Sequence, residues 1–327
     1  MRELVIRADA GPKIGLGHVM RCLALAEGWQ DAGGNVTFAS ANAPDPVVAR
    51  FRCSGVAHVA LTARHPDPRD AKETGALDGG WIAVDGYHFD DAYRASLRQA
   101  GHRVLAIGDA AGGIGVADAV LNQNGGASYE FPLALVGPRF ALIRREFAPF
   151  RPREISADGA LRRIVLTFGG SDEDNATGRI LRALGRVVPR NVVVSVLVGP
   201  LNPHRRALEQ FAGAAAFPVT LEEGSDPAPV LAAADLAITA AGSTCWELCY
   251  MGVAMVAIVV ANNQLPVAQA LRDAGAAVVA TVDDVPRCVG SLVTDAAARR
   301  KLADAAHTLV DGRGAERVVE ALWSAGR

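Results

Sequence analysis

Leu4-Val5-Ile6-Arg7-Ala8-Asp9-Ala10-Gly11-Pro12-Lys13-Ile14-Gly15-Leu16-Gly17-His18-Val19-Met20-Arg21 opens the chain and decides its class. Leu4 to Ile6 read as a strand, and apolar residues recur at helical spacing from His18 to Ala32. Between them lies a turn with three glycines. Glycine lets the backbone take positive φ and approach a ligand closely. The free N–H groups of a first helical turn favour an anion. Gly15 and Gly17 are therefore candidate contacts to a phosphate, and Arg21 a candidate partner for its charge. His18, at the helix start, is a candidate for presentation to a ligand. A plain strand-to-helix turn is the competing reading. The turn is not the dinucleotide fingerprint, because no third glycine falls in place. Nor is it a Walker loop, because no Gly-Lys-Ser/Thr closes it.

Outward from this unit the same rhythm continues. Asn35 to Ala39, Trp81 to Val84 and Arg103 to Ile107 read as strands, with a helix from Asp90 to Gln99. Around Phe147 to Asp158 the rhythm breaks at Pro149 and Pro152. A second series starts with a strand from Ile164 to Phe168, a helix from Thr177 to Val187 and a strand from Val192 to Val198. It continues with a helix from Ala228 to Ala233, a strand from Leu236 to Thr239 and a helix from Thr244 to Tyr250. A strand from Met255 to Val260 and a helix from Pro266 to Ala274 follow. The last helix runs from Gly314 to Ser324. Such alternation implies parallel sheets covered by helices. It predicts an α/β chain of two Rossmann-like domains facing an inter-domain cleft. The expected domains are 1–150 and 160–311, with 312–327 a terminal helix packing back on the first. Ligands of open α/β sheets bind at the carboxyl ends of the strands.

The second half has two more glycine turns between strand and helix. One is Phe168-Gly169-Gly170-Ser171-Asp172. The other is Ala240-Ala241-Gly242-Ser243-Thr244, with Glu247 one turn later. Small residues and hydroxyls at a helix N-terminus suit a diphosphate. Gly169, Gly170, Ser171, Gly242, Ser243 and Thr244 are therefore candidate contacts. Glu247 has two readings: a carboxylate that accepts from ribose hydroxyls, or a first-turn acid that complements the helix dipole.

Composition narrows the classes. The chain has 327 residues, half of them hydrophobic, and its 33 Lys+Arg against 35 Asp+Glu leave a formal net charge of -2. That balance gives no general electrostatic footprint for nucleic acid. No stretch reaches the roughly 18 apolar residues of a membrane span. The start lacks signal-peptide architecture, which points to the cytoplasm. Five scattered cysteines fit reduced thiols there. Cys245 and Cys249 read either as half a zinc site or as small buried apolar groups. No second pair accompanies them, so no metal and no cofactor is expected.

The ordered motifs resemble a known family. Arg7-Ala8-Asp9 and Ile14 to Ala26 are similar to the opening of the UDP-sugar hydrolases of pseudaminic acid biosynthesis and of related spore-coat polysaccharide biosynthesis proteins. So are Val84-Asp85-Gly86-Tyr87-His88-Phe89-Asp90, Leu121-Asn122-Gln123-Asn124, Gly137 to Leu142, Phe168 to Asp172 and Asn262-Asn263-Gln264. The hydrolase substrate is UDP-2,4-diacetamido-2,4,6-trideoxy-β-L-altropyranose. The second half also resembles the donor-binding half of the glycosyltransferase that makes lipid II. The resemblance implies a GT-B-like fold and metal-independent attack of water on the anomeric carbon of a UDP-linked amino or deoxy sugar. It implies His18 as the catalytic histidine, Tyr87 as a residue near sugar and water, and Asn263 as a sugar or phosphate contact. Gln264 is expected beside it. The hydrolases often read Asp-His-Tyr where this chain has Asp85-Gly86-Tyr87, which leans toward the spore-coat branch.

From the residues, UDP is already a good leaving group, so one base suffices and no paired carboxylates are required. His18 can be that base near neutrality. Asp9 either orients it or caps the turn. His88 faces either the ligand or solvent. Asn122 to Asn124 serve either turn chemistry or sugar contact, and Arg144-Arg145-Glu146 either a solvated face or a phosphate clamp. Hydrolysis is the first expectation. A glycosyltransferase on the same scaffold, with an acceptor hydroxyl in place of water, is the alternative. A non-catalytic nucleotide-sugar sensor is the third.

Overall fold

The structure, a computed structural model, describes residues 2–11, 14–109, 114–126, 128–151, 159–222 and 226–325. Pro12 and Lys13 of the first turn, and 152–158 of the break in rhythm between the two series, lie outside the described residues. The chain divides into two compact units, Met1–Arg145 with Gly312–Arg327, and Glu146–Asp311.

The first unit is built on seven parallel strands: β1 (Glu3–Ala8), β2 (Asn35–Ser40), β3 (Ala57–Ala60), β4 (Trp81–Asp85), β5 (Arg103–Ile107), β6 (Ala119–Asn122) and β7 (Ala134–Val136). Their order is β3-β2-β1-β4-β5-β6-β7. Leu4 to Ala8 are all fully buried, as expected of a parallel strand covered on both faces. The order reverses direction between β1 and β4, where Ala8 pairs with Asp85. Such a switch point is where an open α/β sheet leaves a crevice at its carboxyl ends.

The helix Gly17–Asp31 follows β1 and is buried on most of its circumference. The sheet covers one side and the terminal helix Gly314–Ala325 covers another, adding Ala315, Val318, Val319 and Leu322 to the same core. The two helices approach closely at Gly28, where a Cβ would stand 2.7 Å from that of Ala315. Trp29 and Trp323 meet edge to face at 5.6 Å. The terminal helix is thus part of the first unit's core.

The second unit has six parallel strands: β8 (Arg163–Thr167), β9 (Val193–Leu197), β10 (Val219–Glu222), β11 (Leu236–Ala240), β12 (Met255–Ile258) and β13 (Val278–Ala280), in the order β10-β9-β8-β11-β12-β13. Its switch point falls between β8 and β11, where Thr167 pairs with Thr239. The turns Gly169–Asp172 and Gly242–Thr244 leave these two strands and flank that point. The helices Val285–Thr294 and Ala296–Leu309 are separated by Asp295 alone, whose carboxylate caps the second through the N–H of Ala298. Among the described residues no helix is long and apolar enough to cross a membrane.

Candidate functional site

At the switch point of the first sheet, β4 ends in Asp85 and the helix Gly17–Asp31 begins beside it. His18, Arg21 and Cys22 lie three and four residues apart, so they share one face of that helix. All three reach Asp85. His18 Nδ1 is 2.6 Å from Asp85 Oδ1. Arg21 donates from Nε to Oδ2 and from Nη2 to Oδ1, both at 2.6 Å. The Cys22 thiol lies 3.3 Å from Oδ2. Arg21 Nη1 also donates to Asp109 Oδ1, beyond the end of β5. One buried guanidinium thus joins two carboxylates.

The electrostatics fix the roles. Burial opposes the charge on Asp85, but Arg21 and His18 beside it more than offset this and hold the carboxyl well below the usual range. An ionised carboxylate only accepts. In the neutral ring Nδ1 of His18 therefore carries the proton and donates it to Asp85, which leaves Nε2 with its lone pair. Among the described residues Nε2 has no hydrogen-bond partner. The ring is 7% exposed. Tyr87 stands edge to face against it at 4.7 Å and 78°. A carboxylate on Nδ1 holds the tautomer and stabilises the imidazolium when Nε2 takes a proton. The pair has the geometry that a general base requires.

The structure corrects two expectations here. Asp9 neither orients His18 nor caps the glycine turn. It is fully buried and paired with Arg7, which donates Nη1 to Oδ1 at 2.7 Å and Nη2 to Oδ2 at 3.0 Å. Oδ1 also accepts the N–H groups of Ala41 and Asn42, tying the end of β1 to that of β2. Arg7 spans to Asp70 as well, at 2.6 Å. Arg21, a candidate for phosphate, is instead committed to Asp85 and Asp109 and is only 7% exposed. Breaking one partner of such a buried set costs about 3–5 kcal/mol, so its role is to hold the site.

Gly11 and Gly15 close the first turn by exchanging backbone hydrogen bonds, with Gly15 at φ 78°. Gly17 is exposed and begins the helix, which has no side-chain cap and no acid in its first turn.

The two turns of the second unit differ. In the first, Asp172 accepts from the N–H groups of Ala176 and Thr177, and Asn175 accepts from Gly178. The start of the helix Ala176–Leu184 is thereby closed by the protein's own side chains, against the expectation of a diphosphate there. Gly169 and Gly170 also pack against Gly199, where any Cβ would meet their carbonyl oxygens at 2.3–2.4 Å. In the second, Ser243 precedes the helix Thr244–Met251 without a side-chain cap bond. Among the described residues neither the Ser243 nor the Thr244 hydroxyl has a hydrogen-bond partner. Among the described residues this turn, unlike the first, is not closed by the protein's own side chains. Glu247 is nearly buried one turn along. Asn263 is exposed, and Gln264 Oε1 accepts from the N–H of Val260 at 2.9 Å.

Asn122, Gln123 and Asn124 are all buried. Asn124 Nδ2 donates to Asp109 at 3.0 Å, and Gln123 Oε1 accepts from Leu142 N. Asn124 alone of the three touches the site directly, and Asn122 Oδ1 holds it by accepting from its N–H at 2.9 Å. His88 Nε2 lies 3.2 Å from Asp9. Arg144 is nearly buried, and Arg145 pairs with Asp31 at 2.7 Å. Cys245 and Cys249 are buried, and burial pushes the Cys245 thiol up to about 12, which fits small apolar packing. Asp85 and Asp109 are the functional candidates that sequence reading passed over. The available signal was an aspartate at the carboxyl end of an apolar strand, as the last residue of β4 and two residues beyond β5.

Residues 165–313 match the model of the glycosyltransferase family 28 C-terminal domain. The uncharacterized protein MJ1062 of Methanocaldococcus jannaschii is 20% identical over 271 residues, 78% of this chain and 55% of the relative. The chain thus spans about half the length of that curated relative. MurG of Acinetobacter baumannii superposes with a TM-score of 0.69 at 18% identity, covering 99% of both chains. The spinosyn rhamnosyltransferase SpnG complexed with thymidine diphosphate superposes with a TM-score of 0.65 at 16% identity, covering 98% of this chain and 100% of the other. The chain therefore has two parallel-sheet, Rossmann-like α/β domains of the GT-B type.

Proposed function

We propose that this chain transfers a sugar from a nucleoside-diphosphate sugar to a hydroxyl acceptor at the anomeric carbon. The observation that carries the reading is the buried His18–Asp85 pair with its bare Nε2 at the carboxyl end of a parallel sheet. In the proposed step the acceptor oxygen attacks the anomeric carbon and its proton passes to His18 Nε2. The bond from that carbon to the diphosphate breaks, and its electron pair leaves with the nucleoside diphosphate. Asp85 stabilises the imidazolium that forms. Within the second unit, the N–H groups and hydroxyls of Ser243 and Thr244 are the candidate binding groups for a nucleoside diphosphate, as preorganised donors are. The family 28 match over the second unit and the nucleotide-bound rhamnosyltransferase among the similar structures support transfer over hydrolysis.

Hydrolysis is the second reading, favoured by the ordered motifs from Ile14 to Ala26 and from Val84 to Asp90. It differs only in that water replaces the acceptor. The test is to incubate the protein with UDP- and TDP-sugars, with and without hydroxyl acceptors, and to follow products by NMR. Transfer predicts nucleoside diphosphate release that depends on an acceptor, with a new glycosidic linkage. Equal release in plain buffer would instead establish the hydrolase. Binding with no release under any condition would leave a sensor.

The two turns of the second unit give a paired prediction. Ser243→Ala is expected to weaken nucleoside diphosphate binding by roughly 1.5–3 kcal/mol, the scale of a hydrogen bond to a charged group. Asp172→Ala is expected to lower unfolding stability by roughly 1 kcal/mol, the worth of a helix cap, with little change in affinity. Calorimetry and thermal melts of both variants check this. The reverse pattern would place the diphosphate on the Gly169–Asp172 turn.

A further inference from the structure

Tyr87 is 62% exposed, yet its hydroxyl is tied down: it donates to Asp109 Oδ2. Asp109 is itself 7% exposed, and its other oxygen takes Arg21 Nη1 and, at 3.0 Å, Asn124 Nδ2. Both oxygens are therefore occupied. A phenol that donates to a carboxylate has its proton directed away from any ligand. What Tyr87 leaves exposed is its ring, with one edge on His18. A held aromatic ring offers a large apolar surface at little entropic cost.

We propose that Asp109 is a positioning residue: one oxygen anchors the Tyr87 hydroxyl and the other anchors the Arg21–Asp85–His18 chain, so that a sugar meets the ring of Tyr87 rather than its hydroxyl. The ligand class is a pyranose that presents a C–H-rich face beside its anomeric carbon, and this part rests on the reading given above. The base and the apolar platform are then fixed to each other through one carboxylate. A shift of either is felt by both. The amide run Asn122 to Asn124 belongs to the same support, through Asn124.

The test compares Tyr87→Phe, Asp109→Asn, their double variant and Tyr87→Ala. Tyr87→Phe and Asp109→Asn are each expected to raise KM for the donor about 3- to 30-fold, the scale of one hydrogen bond, with a smaller fall in kcat. The double variant is expected to be no worse than the worse single one, because both remove the same contact. Tyr87→Ala, which removes the ring, is expected to raise KM further than Tyr87→Phe. Additive single effects, or a kcat loss of 100-fold in Tyr87→Phe at unchanged KM, would overturn the proposal. The first would deny the tether and the second would place the hydroxyl in the chemistry. A Tyr87→Ala variant no worse than Tyr87→Phe would overturn the sugar contact. Tyr87 is exposed, so its variants carry the test if Asp109→Asn fails to fold. A readout independent of turnover separates the tether from the functional reading. In wild-type protein labelled at tyrosine rings, the Tyr87 signals are expected to be shifted and broadened relative to those of Asp109→Asn. Identical Tyr87 signals in both would refute the tether whether or not any donor is turned over.

Discussion

His18→Asn is expected to lower turnover by roughly 10²–10⁴-fold, the range for a positioned general base, with nucleoside diphosphate affinity little changed. The asparagine amide can still reach Asp85, so the buried carboxylate keeps a hydrogen-bond donor. What it lacks is the bare Nε2. His18 is not among the residues proposed for the diphosphate, which is why affinity is expected to be spared. Asp85 is held ionised far below its usual range by Arg21 despite its burial, so it does not titrate between pH 5 and 8. A difference in rate between wild type and variant in that range is therefore not a titration of Asp85, and circular dichroism is expected to be unchanged in the variant. A folded variant with near wild-type turnover would transfer the base role to another group.

Asp85→Asn is the second large effect. An asparagine at this place removes the charge that fixes the proton on Nδ1 and can donate its own N–H to that nitrogen. The ring proton then moves to Nε2 and the base is lost. A tautomer reversal of this kind lowers turnover by roughly 10²–10⁴-fold. Arg21 keeps Asp109 as a charged partner, but removing one carboxylate from a buried set costs about 3–5 kcal/mol of stability. Thermal melts must therefore accompany the kinetics. Nitrogen NMR of His18 supplies the direct check: proton on Nδ1 in the wild type, on Nε2 in the variant. A folded Asp85→Asn protein with the wild-type tautomer and full turnover would show that Asp85 only supports Arg21.

Much of this arrangement is written in local sequence. The strand-turn-helix from Leu4 to Arg21 could be read from hydrophobic period and glycine placement alone, because each is a short-range property. The central strands of both sheets were legible for the same reason: buried on both faces, they are continuous apolar runs. The edge strands β3, β7, β10 and β13 were not, being three or four residues long and only partly buried. The helices Val285–Thr294 and Ala296–Leu309 hide each other, since one aspartate ends the first and caps the second. Within the site, His18 stood out by its place at a helix start. Its orienting partner did not, because Asp9 is near in sequence and Asp85 is near in space. Only the pairing of β1 with β4 brings Asp85 to the helix. Likewise nothing local distinguishes the self-capped turn at Asp172 from the open one at Ser243. The difference is whether an Asp and an Asn two to five residues on fold back to the helix amides.

The central claim is that His18, armed by Asp85, activates a hydroxyl against a nucleotide-linked anomeric carbon. Its most direct test is phosphorus NMR of wild type and His18→Asn, side by side, with a nucleoside-diphosphate sugar and a hydroxyl acceptor. The account predicts that the wild type converts the donor to free nucleoside diphosphate with matching growth of a glycoside, while His18→Asn binds the same donor and converts it at least 100-fold more slowly. Equal conversion by both proteins, or a wild type that converts none of the donors with any acceptor or with water, would contradict it.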